Sequence, residues 1–301
     1  MSQKPFSYPG WKVLEETRRK ILDPASHPSL GKNLNGPSVI RVPDWVRNPL
    51  GQYYMYFAHH RGTFIRLAYA DHPEGPWQVH APGCLEVEKV PELWNHIASP
   101  DILVDDDRRE IRMYLHGAGG LTWWQESTLA LSTDGLTFQP QPGVVGPYYL
   151  RVFRWQGRWL GIARDHGSEV SLLLESPDGI QPFRRLGNSF HRGRHFGLLP
   201  DGDILWVFYS RLYDVPERIL VSRVRLVGEP KEWEFEDGSD LLRPALDWEG
   251  VNFPLVPSRM GDQTGVRQLR DPFVFREDGI HYLYYSGGGE SCLGMVQIQP
   301  T

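Results

Sequence analysis

The sequence predicts an all-β fold, a five-bladed β-propeller, and three observations carry that expectation. A hairpin-like pattern recurs five times along the 301 residues. A third apolar strand follows most of the hairpins. Composition supplies the turns and the platforms, with 31 Gly and 25 Pro for tight connections and 12% aromatic residues, 11 of them Trp. A unit of three or four antiparallel strands repeated five times is the sequence form of a propeller, and the chain reads as a single domain over 1–301. The competing arrangement is an irregular β-sandwich with coincidental hairpins.

Residues 1–33 read as an N-terminal extension. "VLEETRRKIL" has the look of a short helix, while "GWKV" could close the ring as an outer strand of the last blade. Five hairpins then occupy 35–60, 99–117, 146–167, 194–211 and 270–288. Turns such as "DDDRR", "WQGR", "PDGD" and "EDGI" join an apolar run to an aromatic-rich one. Third strands lie in "FIRLAYADHPEGPWQVH", "STLALSTDGLTFQP", "EVSLLLESPDGIQPF", "RILVSRVRL" and "SCLGMVQIQ". Between the fourth and fifth blades, 237–269 reads as a long inter-blade loop bearing Gly and Pro. A loop of that length in a compact domain is usually functional or disordered.

Formal net charge is −5, and acidic and basic residues are interspersed without a Lys/Arg run. That pattern argues against nucleic acid or an anionic membrane as partner. No stretch of 18 apolar residues is present, and the first 20 residues lack the apolar core of a secretory signal. Cys84 and Cys292 lie far apart and are expected as unpaired thiols in a reducing compartment. These features predict a cytoplasmic protein.

In a propeller the innermost strands line a central channel, and three kinds of position gather on one face. Strand-one starts supply Asp101, Tyr148, Arg194, His195, Arg270 and Asp271. Strand-two ends supply His59, His60, His116, Arg164, Asp165, His166, Arg211 and Ser286. Strand-three starts supply Glu126, Glu169, Glu217 and Glu290. A lone His or Asp at a strand end is ordinarily a turn or capping residue. Convergence of many such residues on one funnel points instead to a site. His96 and Trp124 join the expected substrate contacts; Trp123 and Trp124 could stack on a sugar or pack between blades. The "DDDRRE" run reads as a solvated turn.

At the strand-one starts the chain resembles the five-bladed propeller glycosidases, chiefly glycoside hydrolase family 43, with relatives in families 32 and 117. "AYADHPEGPWQVH" is similar to that family's third-strand ending, and "SPDI" to its second-blade motif. The resemblance spans about 35–298 and implies that Asp101 tunes the acid and orients substrate. It also implies a general base before the first-blade Pro and a general acid two residues before the third-blade Pro. Here those positions hold Gly36 and Val145, neither of which transfers a proton. In families 32 and 68 an Arg-Asp-Pro holds sugar hydroxyls; here "RDP" contains Arg270 and Asp271.

Three readings follow. The first is a glycosidase acting on a small oligosaccharide or glycoside, with catalytic residues rebuilt as Asp101 and Asp271, backed by Glu169 or Glu290, and with His195 beside them. His60, His96, His116, Arg164, Asp165, Arg194, Arg211, Arg270, Glu290 and Trp124 would bind substrate. The second is a His/Arg-based uronate lyase or epimerase, and the third a catalytically silent carbohydrate-binding propeller. No cofactor is required. An axial divalent cation, Ca²⁺ or similar, could sit near His195, although Ca²⁺ prefers oxygen ligands and no local motif demands a metal.

Overall fold

The computed structural model describes residues 10–120, 124–261 and 263–301. Over these residues the chain forms five antiparallel sheets arranged as the blades of a ring. Strand β1 (Trp11–Leu22) comes first in sequence but belongs to the last blade. The first blade contains β2 (Asn35–Arg41), β3 (Tyr53–Ala58), β4 (Phe64–Ala70) and β5 (Gln78–Glu86). The second contains β6 (Leu93–Asp105), β7 (Glu110–Gly119), β8 (Gln125–Ser132), β9 (Gln139–Pro140) and β10 (Gly146–Pro147). The third contains β11 (Arg151–Trp155), β12 (Arg158–Arg164), β13 (Val170–Ser176) and β14 (Arg184–His191). The fourth contains β15 (Gly193–Asp201), β16 (Ile204–Arg211), β17 (Ile219–Arg225) and β18 (Ser239–Leu242). In the fifth, β19 (Thr264–Glu277), β20 (Ile280–Gly289) and β21 (Cys292–Pro300) are completed by β1.

Each blade is apolar on both faces, so its middle strands read as near-continuous hydrophobic runs. Among the described residues the core divides into five clusters, one between each pair of neighbouring blades. Val145 belongs to the cluster between blades two and three, packed with Tyr114, Leu150 and Phe183.

Two sequence expectations are corrected. "VLEETRRKIL" is not a helix; it lies within β1, paired with β21 from Trp11↔Pro300 to Leu22↔Leu293 with irregularities after Leu14 and Lys20. Its Glu, Lys, Arg and Leu residues favour a helix in isolation, but an unpaired edge on the fifth blade overrides that propensity. Lys12, Glu15, Glu16, Arg19 and Lys20 are exposed there, which protects the sheet edge from pairing with another chain. The 237–269 stretch is likewise not one loop. It supplies β18, a 3₁₀ turn at Asp247–Glu249 and the start of β19.

The innermost strands share a device that positions the site. In β2 and β3, Asn35 faces Ala58 and Ser38 faces Tyr56, so the inner strand holds one extra residue, a β-bulge. The same step recurs at Ala98↔His116 and Asp101↔Tyr114, at Gly193↔Arg211 and Phe196↔Tyr209, and at Arg270↔Ser286 and Phe273↔Tyr284. The bulged residues Gly36, Ser99 and Asp271 all have positive φ, at 59°, 45° and 49°. Asp271 therefore occupies the place of Gly36 in the first blade and Ser99 in the second. Asp101 lies two residues further along, in the place of Ser38.

That offset gives the two aspartates different surroundings. Ser38 Oγ accepts the backbone N–H of Ile102 at 3.1 Å, and Asp101 Oδ2 accepts that of Val152 at 2.8 Å. Arg151, next in the series, donates through Nε to Phe196 O at 3.1 Å. Each of these side chains fastens its blade to the next one around the axis.

Candidate active site

The funnel floor is built by the bulges of β15 and β19 and by the start of the strand after β20. Arg194 Nη1 lies 3.1 Å from Glu217 Oε2, and Arg270 Nε lies 2.9 Å from the same oxygen. Arg270 Nη1 continues to Glu290 Oε1 at 2.8 Å. Glu290 Oε2 accepts from Asn33 Nδ2 at 2.7 Å and from Asn35 Nδ2 at 3.0 Å, with His60 Nδ1 at 3.6 Å. The result is a buried chain of alternating charge, Arg194–Glu217–Arg270–Glu290. Buried ions of this kind are tolerated because every one is paired and hydrogen-bonded.

Asp271 stands beside that chain without a guanidinium of its own. Its Oδ2 accepts from Ser286 Oγ at 3.1 Å, and its Oδ1 lies 3.3 Å from His195 Nε2. His195 Nδ1 lies 3.2 Å from Ser210 Oγ, which donates to Glu217 Oε1 at 2.7 Å. Burial, with the Glu290 charge added, pushes the Asp271 carboxyl up to about 7. Burial also acts to raise Glu290, but Arg270, His60 and the Asn33 amide more than offset it, and its carboxyl sits below the usual range. His195 is held well below its ordinary value by burial and then by Arg194, Arg270 and Arg151, so it is neutral near pH 7.

Above the floor the lining is aromatic. Tyr149 lies 4.9 Å from His195 and 4.3 Å from His116, ring centre to ring centre. A cleft of about 420 Å³ opens on the same face, over blades two to four. Trp124, Tyr148, Arg164, Asp165, His166 and Glu169 are among the residues that line it. Asp271, His195 and Glu290 are buried and are not part of that lining.

Comparison with known proteins agrees with the architecture. No family model matches the chain. The uncharacterized protein R118 of Acanthamoeba polyphaga mimivirus is 33% identical over 302 residues, covering 88% of this chain and 83% of that protein. The chain belongs to the family of R118. Among solved structures, CoXyl43, a family 43 β-xylosidase/α-arabinofuranosidase from a compost microbial metagenome, superposes with a TM-score of 0.62 at 11% identity, covering 94% of each chain. A family 130 protein, from a family of mannoside phosphorylases containing hydrolases that target β-1,2 mannosidic linkages, gives 0.67 at 12%, covering 98% of this chain and 95% of its own. A thermostable family 43 glycoside hydrolase gives 0.63 at 13%, covering 89% of each. The fold shared with all three is the five-bladed propeller of these glycosidases.

Of the residues expected to act in this R118-family chain, the structure brings Asp271, His195, Arg194, Arg270, Glu290 and His60 together on the floor. His116 is buried against Tyr149, and half-buried His96 bonds Asn95 Oδ1 at 3.0 Å. Asp101 is in the inter-blade fastening; burial raises its carboxyl against the opposing pull of Arg151 and the Val152 N–H. Glu169 is on the rim, paired with Arg192 at 3.0 Å and His191 at 3.5 Å. Arg211 turns away to Asp214 at 3.1 Å and Asp237 at 3.6 Å. Arg164 spends its guanidinium on the carbonyls of Gly193 and Ser168. Trp124 and Asp165 line the cleft, and Trp123 lies outside the described residues.

The sequence reading put Glu217 among the strand-three starts but gave it no role. Ser210, Asn33, Asn35 and Gln268, whose Oε1 accepts from Arg270 Nη2 at 2.6 Å, were not singled out. The Arg before His195 and the Arg before Asp271 were the available signal, since two buried guanidinium groups, Arg194 and Arg270, require acidic partners. Oxygen ligands for an axial cation near His195 would have to come from Asp271 and Glu217. Both Glu217 oxygens are engaged, and Arg151, Arg194 and Arg270 oppose a divalent charge there, so the donor set does not suit Ca²⁺. Among the described residues no group of three or more His, Cys, Asp or Glu is arranged to hold a metal ion. No helix among them is long and apolar enough to cross a membrane.

Proposed function

We propose that the protein is a glycoside hydrolase acting on a small oligosaccharide or glycoside, with Asp271 as proton donor and Glu290 as the ionised partner. One observation carries this reading. Two buried carboxyls on one funnel floor are driven in opposite directions, Asp271 toward the protonated form at neutral pH and Glu290 toward the charged form. Such a split assigns acid and base roles, and glycoside hydrolysis needs one carboxyl of each kind.

The hydrogen bonds around His195 explain how the acid would be held. Glu217 Oε2 is held by two guanidinium groups and Oε1 accepts a hydrogen bond from Ser210, so Ser210 Oγ is left to accept from Nδ1–H of His195. Nε2 is then a lone pair facing the Asp271 hydroxyl. After Asp271 donates to the glycosidic oxygen, the water that attacks the sugar gives its proton to Glu290, and solvent carries a proton back to Asp271. The Asp271 N–H, 3.4 Å from Nδ1, is the longer contact at that nitrogen, beside Ser210 Oγ at 3.2 Å. His195 acts through Asp271 and is a positioning residue. The uronate reading has less support, because Arg194 and Arg211 are already neutralised by Glu217 and Asp214.

The test is turnover of a panel of aryl glycosides by the wild type, Asp271→Asn and Glu290→Gln. Each substitution should lower kcat by about 10²–10⁴-fold, the usual contribution of such a group. Undiminished turnover in Asp271→Asn, or an unsaturated uronate as product, would remove the proposal.

A further inference from the structure

Buried arginines in this fold come with acceptors, with one exception. Among the described residues, Arg112, Arg151, Arg164, Arg194 and Arg270 are buried, and each donates to a carboxylate or a backbone carbonyl. Arg66, on β4 of the first blade, is equally enclosed at 5% exposure. Its Nε and Nη1 are buried with no acceptor among the described residues. Burial lowers the guanidinium to about 10, and no acid stands near enough to offset the loss of solvent. An unpaired interior cation is costly, and the cost falls when an anion pairs with it.

The surroundings hold the cation in place without neutralising it. The Phe64 ring covers one face of the guanidinium, with its centre 4.8 Å from Cζ. Both tips face glycines. A Cβ on Gly62 would lie 3.5 Å from Nη1, and one on Gly31 would lie 3.8 Å from Nη2, so neither turn caps them with a side chain. Gly31 is exposed and marks the entrance. Lys32 and Arg61, also exposed, adjoin the two glycines in the chain and bias that entrance toward anions. The neighbouring imidazole supplies no counter-charge. His59 Nδ1–H donates to His60 O, and burial followed by Arg66 holds the ring below its ordinary value. We infer that Arg66 is the base of an anion site at the junction of the Gly31 and Gly62 turns, which takes one small monovalent anion, chloride or a carboxylate. A single positive charge sets the valence, since a dianion would leave a net negative charge in the same buried place. The site is separate from the funnel floor, although the turn it braces also carries His60, which faces Glu290.

The test is thermal melting of the wild type, Arg66→Met and Arg66→Gln in a buffer free of halide and carboxylate, then with sodium chloride or sodium acetate added to about 200 mM. The wild type should gain about 2–4 °C with at least one of the two salts, and neither variant should follow it. The salt with the larger effect identifies the source of the anion. Before either salt is added, Arg66→Met should melt no lower than the wild type, because it removes the unpaired charge and keeps most of the side-chain volume. Parallel shifts in wild type and variants would mark a general salt effect and overturn the site. A strongly lowered melting temperature of Arg66→Met in the starting buffer would overturn it as well, and so would a wild type that responds to neither salt. Should neither variant fold, the chloride NMR line width of the wild type decides. Broadening that acetate reverses supports the site, and an unaltered line overturns it.

Discussion

Arg18 grips Glu249 at two points, Nε to Oε1 at 2.7 Å and Nη2 to Oε2 at 2.5 Å, across the seam where β1 joins the fifth blade. The same carboxylate accepts from Tyr285 Oη at 2.6 Å and from the Ala245 N–H at 2.9 Å. Both side chains are buried, at 3% and 0% exposure, so deleting the cation leaves a buried anion behind. Arg18→Ala should cost about 3–5 kcal/mol, read as a lower urea midpoint. Arg18→Lys should recover only part of it, because an ammonium cannot reproduce the two-point fork. An unchanged midpoint in Arg18→Ala would show that the seam is held by β-pairing alone.

Stability should depend on pH in two opposed ways. Folded Asp271 keeps its proton to about 7, whereas an unfolded aspartate loses it near 4, so its contribution is lost as pH rises through that interval. His59, His96, His116 and His195 are all depressed, chiefly by burial. The unfolded chain accepts protons below about 6.5 that the folded chain refuses, so their contribution is lost as pH falls. Unfolding free energy should therefore drop between pH 6.5 and 5. In Asp271→Asn the opposing proton is gone, and the slope there should steepen by up to about 1.4 kcal/mol per pH unit. Equal slopes would mean that Asp271 is ionised in the folded chain.

Ser210→Ala removes the link between His195 and Glu217 without touching Asp271. The expected outcome is a displaced alkaline limb of the kcat profile with KM little changed. Restoration by Ser210→Thr would fit a hydroxyl relay; a uniform fall in kcat at every pH would mark a packing defect instead.

Asp101 separates a fastening role from a catalytic one. Asp101→Asn keeps an oxygen for the Val152 N–H and should retain both fold and turnover. Asp101→Leu strands that buried donor and should cost about 1–3 kcal/mol in unfolding experiments. Turnover collapsing in a fully stable Asp101→Asn variant would return Asp101 to the chemistry.

Gly36→Ala probes the bulge. A Cβ there would lie 2.7 Å from Ser99 Cα, and the φ of 59° adds roughly 1–2 kcal/mol for an L side chain. The melting temperature should fall, with the substituted blade moving against blade two. No change would imply that the inner strands can slide past one another freely.

The ring was legible because each blade repeats one local pattern, and strand alternation needs no knowledge of neighbours. β1 was half legible: "GWKV" reads as a strand, but "VLEETRRKIL" is rich in helix formers, and only β21 reveals their pairing. The site was legible as a face and not as a set of roles. Asp101 and Asp271 look alike beside their prolines, "SPD" and "RDP", yet a two-residue offset along the bulge puts one in a blade fastening and the other beside His195. Nor does spacing disclose that Glu169 faces solvent while Glu217 is clamped by two arginines. Those differences arise from charges brought together across blades, over sequence separations that local reading cannot bridge.

The pairing of β1 with β21 also sets an order of events. Among the described strands the ribosome delivers β1 first and its partner β21 last, so the fifth blade stays incomplete until β21 has been made. Until then the apolar edge of β21's neighbours has no cover, and closing the longest loop in the chain is left to the final step. A circularly permuted chain opened between β1 and β2, with β1 following β21, would make that contact local and should fold faster.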